Sequence, residues 1–285
     1  MTTLPPTAFG LGPLPGTDLA QAADVVLSES PLPHIPQLLD RGVGSDLIGR
    51  TAAMLEIPVA SGPRGWRVAA RRRADADRME RDLDHLEELW HGKVDTVKVQ
   101  LAGPFTLAAE IEMANGHRMI TDAGALRDLT DALLEVCVGH RRDVEKRFGK
   151  SVLQLDEPRL PEVVAGTLQG ATDFETIRAI PEPEETLGRF GEHLLHTPKL
   201  IDVPWLTCDP RRADKDALAR LLDAGSRIAI PVMAPRELYD LFDELQIDPA
   251  ETTVDVYAES AATLVGTAAN YRAAREMAEA LTVEV

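Results

Sequence analysis

The run Ser151-Val152-Leu153-Gln154-Leu155-Asp156-Glu157-Pro158 constrains the fold more than any other stretch of the chain. Val152, Leu153 and Leu155 read as a short buried strand. The run then stops in two adjacent acids and a proline, which has no N–H to give to a sheet ladder. Side chains alternate along a strand, so Val152, Gln154 and Asp156 share one face and Leu153, Leu155 and Glu157 the other. Two carboxylates at the carboxyl end of a buried strand are costly without partners, and in α/β proteins that end is where ligands bind. On the acid pair alone, the simpler reading has Asp156 capping a loop and Glu157 facing water.

The same unit recurs along the chain. Phe9 to Asp18 is rich in Gly and Pro and suits close approach by a ligand, with Thr17 or Asp18 capping the helix through Val25 and Val26. Ser28 to Pro36 reads as loop, with His34 in it, and Leu38 to Met54 as broken helix. Arg71 to Trp90 has helical spacing of Met79, Leu83, Leu86 and Leu89. Val94 to Pro104 is a strand with Val97, Val99 and Leu101 on one face and Lys98, Gln100 and Ala102 on the other. Helices are expected over Thr106 to Asn115 and Asp122 to Phe148, the second holding a packed Cys137. Beyond the 152–156 strand, helices are expected over Leu160 to Gly166, Pro181 to Leu195, Asp216 to Ala224, Arg236 to Leu245 and Ala268 to Leu281. Strands are expected over Leu200 to Cys208, Arg227 to Val232 and Thr253 to Tyr257. Strand, turn, helix, strand predicts a parallel sheet with helical crossovers. The polar inner faces carrying Gln100, Gln154 and Asp156 suit a closed (β/α)8 TIM barrel with functional groups at one end. No linker divides the chain, so one domain over 1–285 is expected.

Composition narrows the partners. The chain has 285 residues, 44% of them hydrophobic, enough for one large core. Thirty Lys and Arg against 47 Asp and Glu give a net charge of −17, which argues against nucleic acid and anionic membranes. Arg71-Arg72-Arg73 sits among Asp75, Asp77, Glu80 and Asp82 and reads as a solvated helix face. Two cysteines, Cys137 and Cys208, build no disulfide framework. No stretch approaches the roughly 20 apolar residues of a membrane span, and Met1 to Pro6 lacks the features of a signal peptide. A reduced cytoplasmic compartment and a small-molecule substrate are expected.

Several pieces, in order, resemble the carboxyl-terminal catalytic domain of cobalamin-independent methionine synthase, a barrel family in a superfamily shared with uroporphyrinogen decarboxylase. Gly10-Leu11-Gly12-Pro13-Leu14-Pro15 looks like its opening turn Ile-Gly-Ser-Phe-Pro, and Gly103-Pro104-Phe105-Thr106 like its Gly-Pro-Val-Thr strand end. Leu153-Gln154-Leu155-Asp156-Glu157-Pro158 matches its Ile-Gln-Ile-Asp-Glu-Pro, the most specific piece. Leu206-Thr207-Cys208 falls where it has His-x-Cys, and Arg275 to Ala280 resembles its last helix. The resemblance implies methyl transfer from a methylated folate to the sulfur of homocysteine, deprotonated on a zinc ion held by a His, two Cys and a Glu. It implies that Asp156 receives the amino group of the substrate and that the opening turn at Gly12 receives its carboxylate. It extends the substrate-binding set to Gln100, Gly103, Thr106, Gln154 and Glu157.

The departures fall on the zinc site. The zinc histidine is replaced by Leu206, and Cys208 is the one ligand kept. No cysteine lies at Leu264 to Asn270, and no acid lies at Ile228-Ala229-Ile230-Pro231. Pro13 stands for the opening serine. A single thiolate does not make a zinc site. Zinc is therefore implied by the resemblance with an incomplete ligand set, and Cys208 is its candidate ligand and a candidate sulfur-handling residue. The expected activity is methyl transfer to a thiol such as homocysteine or a diverged relative of it, on an amino-acid or thiol substrate, with a folate as possible donor. The alternatives are a metal-free, lyase-like barrel of the decarboxylase branch, with Arg50 and Asp156 around an acidic substrate, and a non-catalytic small-molecule binder. Oligomeric state is left open. Trp205 reads as barrel packing; Tyr257 and His117 carry no argument beyond position.

Overall fold

The computed structural model describes residues 4–71, 77–170 and 176–283. The strands are β1 (Ala8–Gly10), β2 (Pro13–Leu14), β3 (Gln37–Leu38), β4 (Val59–Gly62), β5 (Gly65–Val68), β6 (Thr96–Ala102), β7 (Ile111–Glu112), β8 (Lys150–Asp156), β9 (Leu194–His196), β10 (Trp205–Thr207), β11 (Arg227–Pro231) and β12 (Val254–Ala258). The helices are α1 (Leu19–Glu29), α2 (Leu47–Met54), α3 (Arg78–Trp90), α4 (Pro104–Glu110), α5 (Ala123–Phe148), α6 (Leu160–Ala165), α7 (Glu184–Gly188), α8 (Lys215–Asp223), α9 (Pro235–Leu245) and α10 (Leu264–Val283).

Seven strands form one parallel sheet in the order β1-β12-β11-β10-β9-β8-β6. The longest ladder joins β6 to β8, from Thr96 opposite Lys150 to Ala102 opposite Asp156. The expected closed cylinder of eight regular strands is corrected here to a curled, half-barrel sheet of seven. Residues 32–37 run beside the sheet as an irregular segment, because Pro33 and Pro36 have no N–H for a ladder. That segment still bonds to both edge strands. Leu32 N donates to Ala8 O (3.2 Å), Lys98 N to Pro33 O (2.7 Å), Ile35 N to Lys98 O (3.1 Å) and Gln37 N to Gly12 O (3.0 Å).

Helices cover the outer face, where Leu101, Leu155, Leu195, Leu206 and Ile230 join the main core. A second apolar cluster fills the inside of the curl: Phe9, Leu11, Leu32, Val152, Leu194, Trp205, Ala229 and Tyr257. Trp205 is thus packing, as expected. The amino end of the sheet is closed by Asp255, which accepts from Thr7 N, Trp205 Nε1 (2.9 Å) and Arg227 Nε (2.6 Å). Asp18 caps α1 and Asp122 caps α5 through Ala125 N. α5 ends at Gly149, whose φ of +108° and 2.5 Å approach of its would-be Cβ to Asp95 O exclude other residues.

Several boundaries shift from expectation. Pro104 starts α4 at once, and the expected helix to Asn115 ends at Glu110 because Ile111 pairs with the unforeseen β4–β5 hairpin. The expected helix to Leu195 shrinks to Glu184–Gly188, leaving Leu194–His196 to pair with β8 and β10. The 200–208 strand is reduced to Trp205–Thr207. Met1 to Thr3, Arg72, Arg73 and Asp75 lie outside the described residues. Among the described residues no helix is long and apolar enough to cross a membrane.

Candidate functional site

The inward faces of β6 and β8 build the site by simple alternation. Lys98 and Gln100 point inward from β6, and Gln154 and Asp156 from β8, with Gln100 directly opposite Gln154. All four are buried. Lys98 Nζ donates to Gln154 Oε1 at 2.5 Å. With its amide turned to satisfy both neighbours, Gln100 accepts from Lys98 Nζ (3.2 Å) and donates to Ile35 O (3.3 Å). The Gln154 Nε2 group donates to Leu11 O (2.9 Å) and to Asp156 Oδ1 (2.7 Å). The ring of Phe9 lies 5.3 Å from Lys98 Nζ, within cation–π range.

Burial sets the charges. Desolvation lowers Lys98 to about 7, opposed by the charge of Asp156. Desolvation raises Asp156 to about 7, opposed by the Gln154 hydrogen bond and by Lys98. The two charges attract each other, each opposing the shift that burial imposes on its partner. His196 faces Asp156 across the β8–β9 ladder and bonds through Nδ1 to Thr207 Oγ1 (2.9 Å). Burial and Lys98 push it down to about 4, so it is neutral. His34, expected as a loop histidine, is fully buried beside Tyr271 and stays neutral, its basicity lowered by desolvation.

Polar atoms at this end remain unclaimed. His34 Nδ1, Gln37 Nε2 and Thr197 Oγ1 are buried without a hydrogen-bond partner. Gly12 keeps the turn open: its φ is +129°, and a Cβ there would press on Gln37 and Gln100 at 3.1–3.3 Å.

The structure therefore groups Gly12, Gln100, Gln154 and Asp156, and it groups Gly103, Thr106 and Glu157 separately. Glu157 does not face water. It is fully buried and accepts from Phe105 N (3.0 Å), Thr106 N (2.7 Å) and Thr106 Oγ1 (2.6 Å), capping the start of α4. Desolvation raises it to about 7 against those hydrogen bonds.

Cys208 alternates with the inward Thr207 and joins the outer core with Leu206. Burial and the nearby Asp209 push its thiol up to about 12, the opposite of an activated thiolate. Cys137 is likewise packed and raised to about 12 by burial. Among the described residues no group of three or more His, Cys, Asp or Glu side chains is placed to hold a metal ion. The residues present do not fit a zinc site. Arg50, read as a surface ion-pair residue or a substrate contact, lies on α2 and is buried.

Sequence reasoning missed Lys98 and His196 as site residues. Lys98 was legible as sharing a face with Gln100, but a lysine in a strand reads as exposed. The signal for His196 was hidden because the helix expected to Leu195 left no strand for it to end.

The chain is thus an α/β protein whose curled parallel sheet carries a buried polar constellation at its carboxyl ends. It is similar in structure to a B12-independent methionine synthase from Shewanella sp. W3-18-1 in complex with selenomethionine, with 13% identity and a TM-score of 0.47. The match covers 77% of this chain and 71% of that one. No protein family matches the chain, and no curated protein does.

Proposed function

We propose that this is a diverged, methionine-synthase-like barrel protein with a metal-independent small-molecule site at the carboxyl ends of β6 and β8. In this reading residues 32–37 serve as the eighth strand. Their four backbone bonds to β1, β6 and the Gly12 turn support that count.

The observation that carries the reading is the buried Lys98–Gln154–Asp156 set. Gln154 occupies Asp156 Oδ1 and leaves the other carboxylate oxygen for a donor on the ligand, such as the ammonium of an amino acid. Burial moves both groups from their ordinary ranges toward neutral pH, which suits general acid–base work. Thiol activation on zinc has no support from Leu206 or Cys208. The favoured activity is acid–base chemistry on an amino-bearing small acid of the homocysteine class; methyl transfer from a folate to its sulfur is the alternative that the resemblance implies.

Calorimetric titration of the full chain with homocysteine and with methionine, with and without a methylated folate, tests this. Binding that survives chelator treatment and is lost in Asp156→Asn is expected. Binding that requires added zinc, or no binding of either amino acid, overturns it.

A further inference from the structure

We infer that the hollow between α5 and the end of α7, over the outer face of β8, binds a small carboxylic acid with an alkyl tail. It lies across the sheet from Asp156 and does not rest on the function proposed for that end.

The hollow holds about 370 Å³, within the size range of small-ligand sites. Much of its lining is apolar. The buried side chains of Cys137 on α5, Leu153 on β8 and Phe190 after α7 contribute to it. Val138 lines it too and is 57% exposed, so the apolar lining reaches solvent.

The charged part of the lining is cationic. Arg141, Arg142 and Arg189 stand against Glu145, in a chain whose net charge is −17. Two of these arginines are engaged. Arg141 donates through Nε to Ser151 Oγ (2.9 Å) and through Nη2 to Ser151 O (3.3 Å), with Glu145 at 3.9 Å. Arg189 Nη2 donates to Asp131 Oδ1 (2.6 Å). Glu145 is itself occupied, accepting from Ser151 Oγ at 2.6 Å. Arg142 is different: it is exposed and has no hydrogen bond or ion pair to a described residue.

An alkyl carboxylate answers both halves of this lining. Its head fits the free guanidinium fork of Arg142, in the positive field that Arg141 and Arg189 add. Its tail covers the apolar surface beside Val138, which otherwise faces water. A compact oxyanion such as phosphate would use the arginine and leave that surface wet.

The test is calorimetric titration of the full chain with sodium octanoate, hexanoate and acetate at matched ionic strength. Saturable binding of one octanoate per chain is expected, with hexanoate, two methylenes shorter, about tenfold weaker and acetate showing no saturation. Arg142→Glu is expected to weaken octanoate several-fold, and Val138→Glu to abolish its binding. Both positions are exposed, so both variants are expected to unfold with the wild-type midpoint. Absence of octanoate binding, acetate binding as tight as octanoate, or undiminished binding in either variant overturns the inference. So does loss of octanoate binding in Asp156→Asn, which would place the acid at the strand ends, or self-association that octanoate reverses, which would give the hollow to a second copy of the chain.

Discussion

A Cβ built on Gly103 falls 2.2 Å from Oε1 of Glu157. The glycine and the acid are therefore one device, in which the residue before α4 gives up its side chain so that the carboxylate reaches two backbone N–H groups. Gly103→Ala forces backbone or carboxylate to move, at a cost of about 1–3 kcal/mol. Glu157→Gln puts an amide N–H against an N–H donor and costs about 1–3 kcal/mol. Urea unfolding of each variant checks both values. Wild-type stability in either would show that the cap is dispensable.

The buried Asp156 gives stability a definite pH dependence. Its folded value is about 7 against an ordinary 3.8, so the folded state binds the proton more tightly. Its contribution is fully present below about pH 4 and is lost as pH rises to about 7. Lys98, lowered from 10.5 to about 7, acts in the opposite sense above that range, and stability regained between about pH 7 and 10.5 belongs to it. Asp156→Asn flattens the loss between pH 4 and 7, as measured by urea midpoints across that range. An unchanged slope would assign the titration elsewhere, with Glu157 the first alternative.

Both cysteines resist chemistry in the folded protein. Their thiols are raised to about 12 and buried, so the thiolate fraction is negligible at neutral pH. Iodoacetamide is expected to label neither within hours under native conditions and both promptly in denaturant, read by intact mass. Elemental analysis of protein purified without chelator is expected to show no stoichiometric zinc.

At the other end of the sheet, Asp255 is fully buried and paired with Arg227 at 2.6 Å. Desolvation raises its carboxyl, opposed by Arg227. Asp255→Ala leaves the Trp205 N–H without its acceptor and the Arg227 charge without its counter-ion, though Leu4 O and Pro5 O still accept from the guanidinium, and is expected to cost about 3–5 kcal/mol. Chemical denaturation measures this. A cost under about 1 kcal/mol would mean that water replaces the carboxylate.

Most of the sheet was legible because its longer strands are continuously apolar or cleanly alternating, while Leu194–His196, expected as the end of a helix, was not. From Gln100, Gln154 and Asp156 alone, the inward polar face followed. The histidines did not follow, since His34 sits in a proline-broken segment and His196 in a three-residue strand, both too short to show a period. On the acid pair alone Glu157 read as facing water, because its partners, the N–H groups of Phe105 and Thr106, are about fifty positions away and no local pattern encodes them.

The proline-broken stretch between β1 and β6 has a mechanical consequence. The β6–β8 wall is stitched by seven consecutive pairs, while this seam is held by isolated rungs. The inward groups of β6 and β8, Asp156 among them, therefore sit on the best-tied part of the sheet, and His34 and Gln37 on a part with fewer backbone bonds to hold it.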